Sequence, residues 1–275
     1  MLSRKTFSRF SLLTILSFSL IGFFGCNKSD NDDDIYKATA SDRQAAIEMV
    51  ADGFSNENDG DYTDITAAVT SPTVSSSVGK ISLDTSFTNP RGLSIHVYKK
   101  FVSSTGDSSN KYDVNHTKLY LKRDVSGTIQ KVLRSFYMEI ERHTILTVEG
   151  LGDAFSAWTL NGDRTARHYH SFNGRMDSTA TYSYERILNS SKLENVIINK
   201  NELNKYPESG TLTYNLEINK IKSKNDKTKI GHFEITAKIT FNGTNRPEIE
   251  VIDKQGNRLK YRVNVETGDL TPSLN

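Results

Sequence analysis

Few residues of this chain could do chemistry by their type and spacing. His168 and His170 flank Tyr169, and on a strand that spacing puts both imidazoles on one face, as some zinc sites require. A third ligand would have to come from afar, from His143 or His116, and no spacing singles out either. Arg164 and Arg167 close by disfavour a cation, so the pair reads as two polar strand residues and no metal is expected. Ser55 to Asp61 (SNENDGD) carries a glycine where a calcium loop wants one, but Ser55 stands at its first position and Thr66 where the bidentate Glu belongs. It reads as a solvated loop. Glu139 with Glu141, and Glu248 with Glu250, each project from one face of a strand, with Cβ atoms about 7 Å apart. Acid–base work needs one carboxyl desolvated, and the flanking Thr, Lys and Arg give no sign of that. No nucleophile elbow, zincin helix, phosphate loop or dinucleotide fingerprint occurs. The expectation is a non-enzyme with no catalytic residue, metal site or cofactor.

The elements that would position these residues are mostly strands. Ser41-Asp42-Arg43-Gln44 reads as a capping box, and Ala46, Ile47, Val50, Ala51 and Phe54 then share one helical stripe, predicting a helix over 41–54. Tyr62, Ile65, Ala68 and Val69 predict a second, shorter helix ending before Pro72, so helix is expected over about 41–70. From Leu93 onward the period is two. Leu212, Tyr214, Leu216 and Ile218 form one dry row, Phe233, Ile235, Ala237, Ile239 and Phe241 another, and Leu259, Tyr261, Val263 and Val265 a third. Earlier candidate strands are 93–102, 117–125, 130–141, 144–149, 164–172 and 179–188. One dry and one wet face mark antiparallel sheet. Phe172-Asn173-Gly174-Arg175 and Lys254-Gln255-Gly256-Asn257 read as hairpin turns. Asn161-Gly162 and Asn242-Gly243 are open to either turn or continued strand. Nine or more strands at about 4.8 Å span roughly 43 Å, whereas a helix of about 14 residues covers about 21 Å. The fold class is therefore mainly β: a large curved antiparallel sheet (half-barrel, barrel or sandwich) with a short N-terminal helical segment and an apolar cleft.

The first residues concern location. Arg4, Lys5 and Arg9 precede an apolar run from Leu12 to Phe24, too short to span a bilayer as a helix and laid out like a secretory signal. It ends in Gly25 before Cys26, the chain's single cysteine. Phe23-Phe24-Gly25-Cys26 resembles a bacterial lipobox, although Phe stands where Leu and a small residue are usual. The resemblance implies a signal peptide over 1–25 and lipidation of Cys26 by diacylglycerol and acyl chains such as palmitate. Residues 26–40 are expected to be an acidic tether, since Asn27 to Asp34 contains no apolar residue. An acidic run so placed resembles the surface-export signal of Bacteroidota lipoproteins. It implies an outer-membrane, lipid-anchored protein on the cell surface, with the periplasmic leaflet as the alternative. Without the leader, 32 basic residues face 33 acidic ones, which gives no electrostatic case for nucleic acid. Five prolines and no Pro-rich or Gly/Ser-rich linker favour a single β-rich domain over 41–275.

Residues 45–69 (AAIEMVADGFSNENDGDYTDITAAV), with Trp158-Thr159-Leu160-Asn161-Gly162, Ser209-Gly210-Thr211 and Phe241-Asn242-Gly243-Thr244, resemble a group of uncharacterised Bacteroidota lipoproteins with an N-terminal helical segment and a β-rich remainder. That resemblance implies no activity. Asp177-Ser178-Thr179 fits the short Bacteroidota O-glycosylation sequence, with Ser178 as acceptor. Three roles are ranked in order: a structural or interaction lipoprotein, a carrier or binder of lipid or glycan, and an enzyme. Partners are the membrane through Cys26, and beyond it a lipid, a glycan or another envelope protein; Trp158, Tyr182 and Tyr184 are the aromatics a glycan site would use.

Overall fold

The computed structural model describes residues 37–75, 84–109, 112, 115–131, 135–152, 154–173, 181–200, 206–224 and 227–273. They belong to one compact unit. Cys26, the leader and the acidic run, and likewise Ser178, lie outside the described residues. Two helices, α1 (Ala40–Phe54) and α2 (Asp61–Ser75), flank a short 3₁₀ turn, Asn56–Asn58. Twelve strands follow: β1 (Asp84–Thr88), β2 (Ser94–Ser103), β3 (Ser108–Ser109), β4 (His116–Lys131), β5 (Phe136–Glu149), β6 (Ala157–Asn173), β7 (Thr181–Asn199), β8 (Ser209–Lys224), β9 (Lys227–Thr240), β10 (Glu248–Asp253), β11 (Arg258–Val263) and β12 (Leu270–Pro272).

The protein is mainly β, as the two-residue period predicts, and all the described strands join one antiparallel sheet. Its order is β1-β2-β4-β5-β6-β7-β8-β9-β10-β11-β12, with the two-residue β3 paired to β2. Each strand from β5 to β12 lies beside its predecessor, so the sheet is an open meander with β1 and β12 at opposite ends of the order. Several expected boundaries move. Strand β4 ends at Lys131 and β5 begins at Phe136, so 130–141 is not one strand and β5 runs unbroken across Arg142 and His143. Helix α1 is capped by Thr39: its hydroxyl accepts from the Asp42 amide while Asp42 reaches back to the Thr39 amide, a capping box two residues earlier than Ser41. Helix α2 continues past Pro72 to Ser75. Asn161-Gly162 stays inside β6, at an irregular register with β7, whereas Gly256 turns β10 into β11 with φ of 81°. A Cβ at Gly162 would run into the Ile145 carbonyl and the Leu146 side chain, so the strands approach there as only glycine allows.

The sheet curls, and α1 lies within the curl. From Ala45 to Phe54 every residue of α1 is buried, not only the expected stripe. A helix buried all round needs walls on all sides. Ile47, Met49, Val50 and Phe54 join Leu119, Ile140, Leu160, Leu193, Leu212, Ile239 and Val251, from seven strands, in one apolar core. The 3₁₀ turn shows how far the curl goes. The Asn56 and Glu57 amides donate to the carbonyls of Val265 and Glu266, just past β11, at 2.8 Å each. Within the same few residues, Glu57 pairs with Lys131 of β4 at 2.6 Å, and Asn89, in the β1–β2 turn, donates to Asp59 at 3.1 Å. In a flat sheet β2 and β11 would stand about 38 Å apart at 4.8 Å per strand. One short turn touches both neighbourhoods only if the sheet's two ends come round toward each other.

Candidate functional site

The least expected arrangement is a charge cluster inside the curl. Arg123, Thr144, Arg164, Ser191 and Tyr214 stand in one register row across β4 to β8 and all point inward. The hairpin lowers Asp59, Asp61 and Asp64 onto this row from the start of α2, where carboxylates also suit the helix dipole. Arg123 pairs with Asp59 at 2.9 Å and contacts Asp64 directly. Arg142 lies 3.2 Å from Asp64 and donates to the Asp59 carbonyl at 2.8 Å. Thr144 donates to Asp64 and Tyr214 to Asp61, each at 2.7 Å. Arg164, wholly buried, approaches Asp61 and Asp64 at 3.8 and 3.7 Å. Burial alone would raise the Asp64 pKa, but Arg142, Arg123, Arg164 and the Thr144 hydroxyl together hold it below the usual carboxylate range. Such a group stays ionised and is no proton donor. Three guanidiniums balance three carboxylates, and the chemistry of the cluster is to fix the hairpin in one register against the sheet.

A smaller set of polar contacts pins the start of α1. Asp42 accepts from the Tyr184 hydroxyl at 3.1 Å and pairs with Lys220, joining β7 and β8 to the helix. Arg43 pairs with Asp253 of β10 at 2.8 Å. Burial opposes ionisation of Asp253, but Asn257 and Arg43 together lower its pKa.

The residues singled out by sequence spacing are scattered. His168 and His170 do share a face of β6, but it is the inner one: both are buried, with ring centroids 5.5 Å apart. His143 is exposed on the opposite face of the sheet, and His116 is buried at the far end of β4 against Phe101 and Tyr112. Neither can complete a site with the β6 pair. Among the described residues no group of three or more His, Cys, Asp or Glu side chains is placed so that it could hold a metal ion. Glu139 and Glu141 are exposed, while Glu248 pairs with Lys260 at 3.2 Å and Glu250 with Arg258 at 3.0 Å. Asp59 and Asp61, expected in a solvated loop, are instead buried in the cluster. Trp158 and Tyr184 are buried too, and the Tyr182 side chain lies outside the described part. Among the described residues the exposed aromatics are Phe87, Tyr98, Tyr120 and Phe155.

Two features face solvent. An open groove of about 460 Å³ is lined by Asn215, Leu216, Glu234, Ile235, Thr236, Ile252, Asp253 and Lys254, along β8 to β10. On the outer face of β1 to β5, His96, Asp124 and His143 occupy one register row. His96 Nδ1 lies 3.4 Å from one Asp124 oxygen, His143 Nδ1 contacts the other, and His96 Nε2 lies 2.6 Å from Asp84. The hydrogen bonds to Asp84 and Asp124 raise the His96 pKa. Burial works against the Asp124 charge, but hydrogen bonds from His143 and His96 lower its pKa overall.

Comparison with protein-family models, with curated proteins and with solved structures gives no match to this chain.

Proposed function

We propose that the chain is a lipid-anchored envelope protein, held to the outer membrane through Cys26, whose role is structural or interactive and is exerted by the outer surface of its β domain. The observation that supports this reading is the occupied interior. Where a carrier would hold an acyl chain, α1 lies buried from Ala45 to Phe54, and the charge cluster of Asp59, Asp61 and Asp64 pins the adjoining turn and α2 in place. Cargo would have to displace a helix fastened by buried ion pairs. Of the aromatics proposed for a glycan, Trp158 and Tyr184 are inside.

The test has two arms. Native mass spectrometry of the full chain, with titration by a hydrophobic fluorescent probe, should show neither a co-purified acyl ligand nor saturable probe binding. A stoichiometric lipid would instead favour the carrier reading. Separately, Cys26→Ala should release the protein from the membrane fraction or leave uncleaved precursor, and replacing Asp30, Asp32, Asp33 and Asp34 by Ala should hide it from protease added to whole cells. An unmodified Cys26 in the mature protein would refute the anchor.

A further inference from the structure

The strand pair β8–β9 changes character along its length. Leu212, Tyr214, Leu216 and Ile218 form the inner row of β8 and are buried. The same phase continues through Lys220, Lys222 and Lys224, and β9 supplies Lys227 and Lys229 before its own buried row starts at Phe233. In the ladder Lys222 stands opposite Lys229 and Lys224 opposite Lys227, so four lysines occupy one face in two directly facing pairs. Like charges so placed weaken a sheet. Elsewhere lysines are set against acids: Lys118 pairs with Glu149 at 2.7 Å, Lys192 with Glu194 at 2.6 Å and Lys260 with Glu248 at 3.2 Å. From Asn219 to Ile230 the sequence holds five lysines and a single acid, Asp226. A chain near neutrality overall thus concentrates positive charge at one strand-pair end. Lys220 fixes where that end lies, because it contacts Asp42 in the first turn of α1. β8 runs four residues further, about 13 Å, away from its buried row. The lysine pairs therefore stand beyond the N-terminal end of α1, where the chain enters the domain. Cys26 stands 14 residues before Ala40, a stretch that spans at most about 50 Å at full extension.

We propose that the facing lysine pairs at the end of β8 and β9, Lys222 with Lys229 and Lys224 with Lys227, dock the domain on the phosphate-bearing headgroups of the membrane to which Cys26 tethers it. The inference rests on the anchored reading for the surface within reach, and on the strand register for the charge that meets it. Anionic headgroups relieve the repulsion within each pair, and each lysine brought to such a surface strengthens attachment about fivefold. An acyl chain joined to a basic patch is a recurrent two-part attachment. Here the acyl chains hold the protein to the bilayer, and the lysines decide which end of the domain faces it. The opposite end of the same strands, where β8 begins at Ser209 and β9 ends at Thr240, is then presented to partners.

The experiment is co-sedimentation of the mature chain, residues 26–275 made without leader or acyl groups, with vesicles of mixed phosphatidylglycerol and phosphatidylcholine and with vesicles of phosphatidylcholine alone. Circular dichroism confirms that each variant is folded. The chain should bind the anionic vesicles at about 50 mM salt, release them at about 500 mM, and ignore the zwitterionic ones. Lys224→Gln with Lys227→Gln, and Lys222→Gln with Lys229→Gln, should each weaken binding at least tenfold. Lys118→Gln with Lys192→Gln removes the same charge from lysines paired elsewhere and should change binding less than threefold. No binding to anionic vesicles, or binding that survives replacement of all four lysines at the strand-pair end, would overturn the proposal. Soluble polyglutamate bound in preference to the vesicles would overturn it too, in favour of an acidic peptide partner. None of these results bears on the acylation of Cys26, which the mass of the mature protein reports separately.

Discussion

At the scale of single residues, the buried cluster is where substitution should hurt most. Asp64 faces three arginines that cannot shed their charge, so Asp64→Asn leaves excess buried positive charge and should destabilise the fold by about 3–5 kcal/mol in urea unfolding. The same residue sets an acid limit. Its pKa is lower folded than the roughly 3.9 of an unfolded Asp, so its contribution is complete above that value and is lost as pH falls toward the folded pKa. Asp253 acts in the same direction. Stability measured against pH should therefore hold level above about pH 4 and drop below it, and Asp64→Asn should flatten the drop. The cluster was legible in part. Arg123 follows Leu119 and Leu121 and precedes Val125 in the dry phase of its strand, Arg142 follows Met138 and Ile140 in its own, and Arg164 precedes Ala166. A charge in the wrong phase is a signal that spacing motifs do not look for. The acids gave no such sign, because Asp59 and Asp61 sit in a polar run that is indistinguishable from a solvated loop until its counter-charges are known.

At the scale of elements, the joint between the helices depends on Gly60. A Cβ there would stand 2.5 Å from the Gly53 carbonyl oxygen and from the Phe54 carbonyl carbon, both rigid backbone. Gly60→Ala should cost about 1–3 kcal/mol and, by shifting α2, loosen the Asp61 and Asp64 contacts; protection of those segments from hydrogen exchange would report it. The strands were readable where alternation is strict, as in β8 and β9, and less so where turns carry no Asn-Gly or Pro signature, as between β4 and β5. The N-cap was misplaced because Ser41 and Thr39 both have suitable hydroxyls and only the geometry of Asp42 chooses between them. α1 looked amphipathic because Glu48 and Asp52 interrupt its apolar residues, and sequence alone does not reveal that these acids are buried as well.

At the scale of the molecule, the argument that a large dry face must be covered led to a curved sheet around the N-terminal helix, and α1 does pack against its inner rows. The sheet and hairpin should accordingly unfold as one. Deleting residues 40–60 should leave no stable sheet, seen as loss of the β signal in circular dichroism and as aggregation, since the inner rows from Leu119 to Val251 would face water. The backbone bonds from Asn56 and Glu57 to Val265 and Glu266 carry one more consequence, for the order of events at synthesis. Asn56 and Glu266 are 210 positions apart, so the 3₁₀ turn waits for a partner made about 210 residues after it. A ribosome delivers the hairpin long before the strands that enclose it exist, and no shorter nascent chain can close the curl. The curl thus stays open until Val265 and Glu266 have been made.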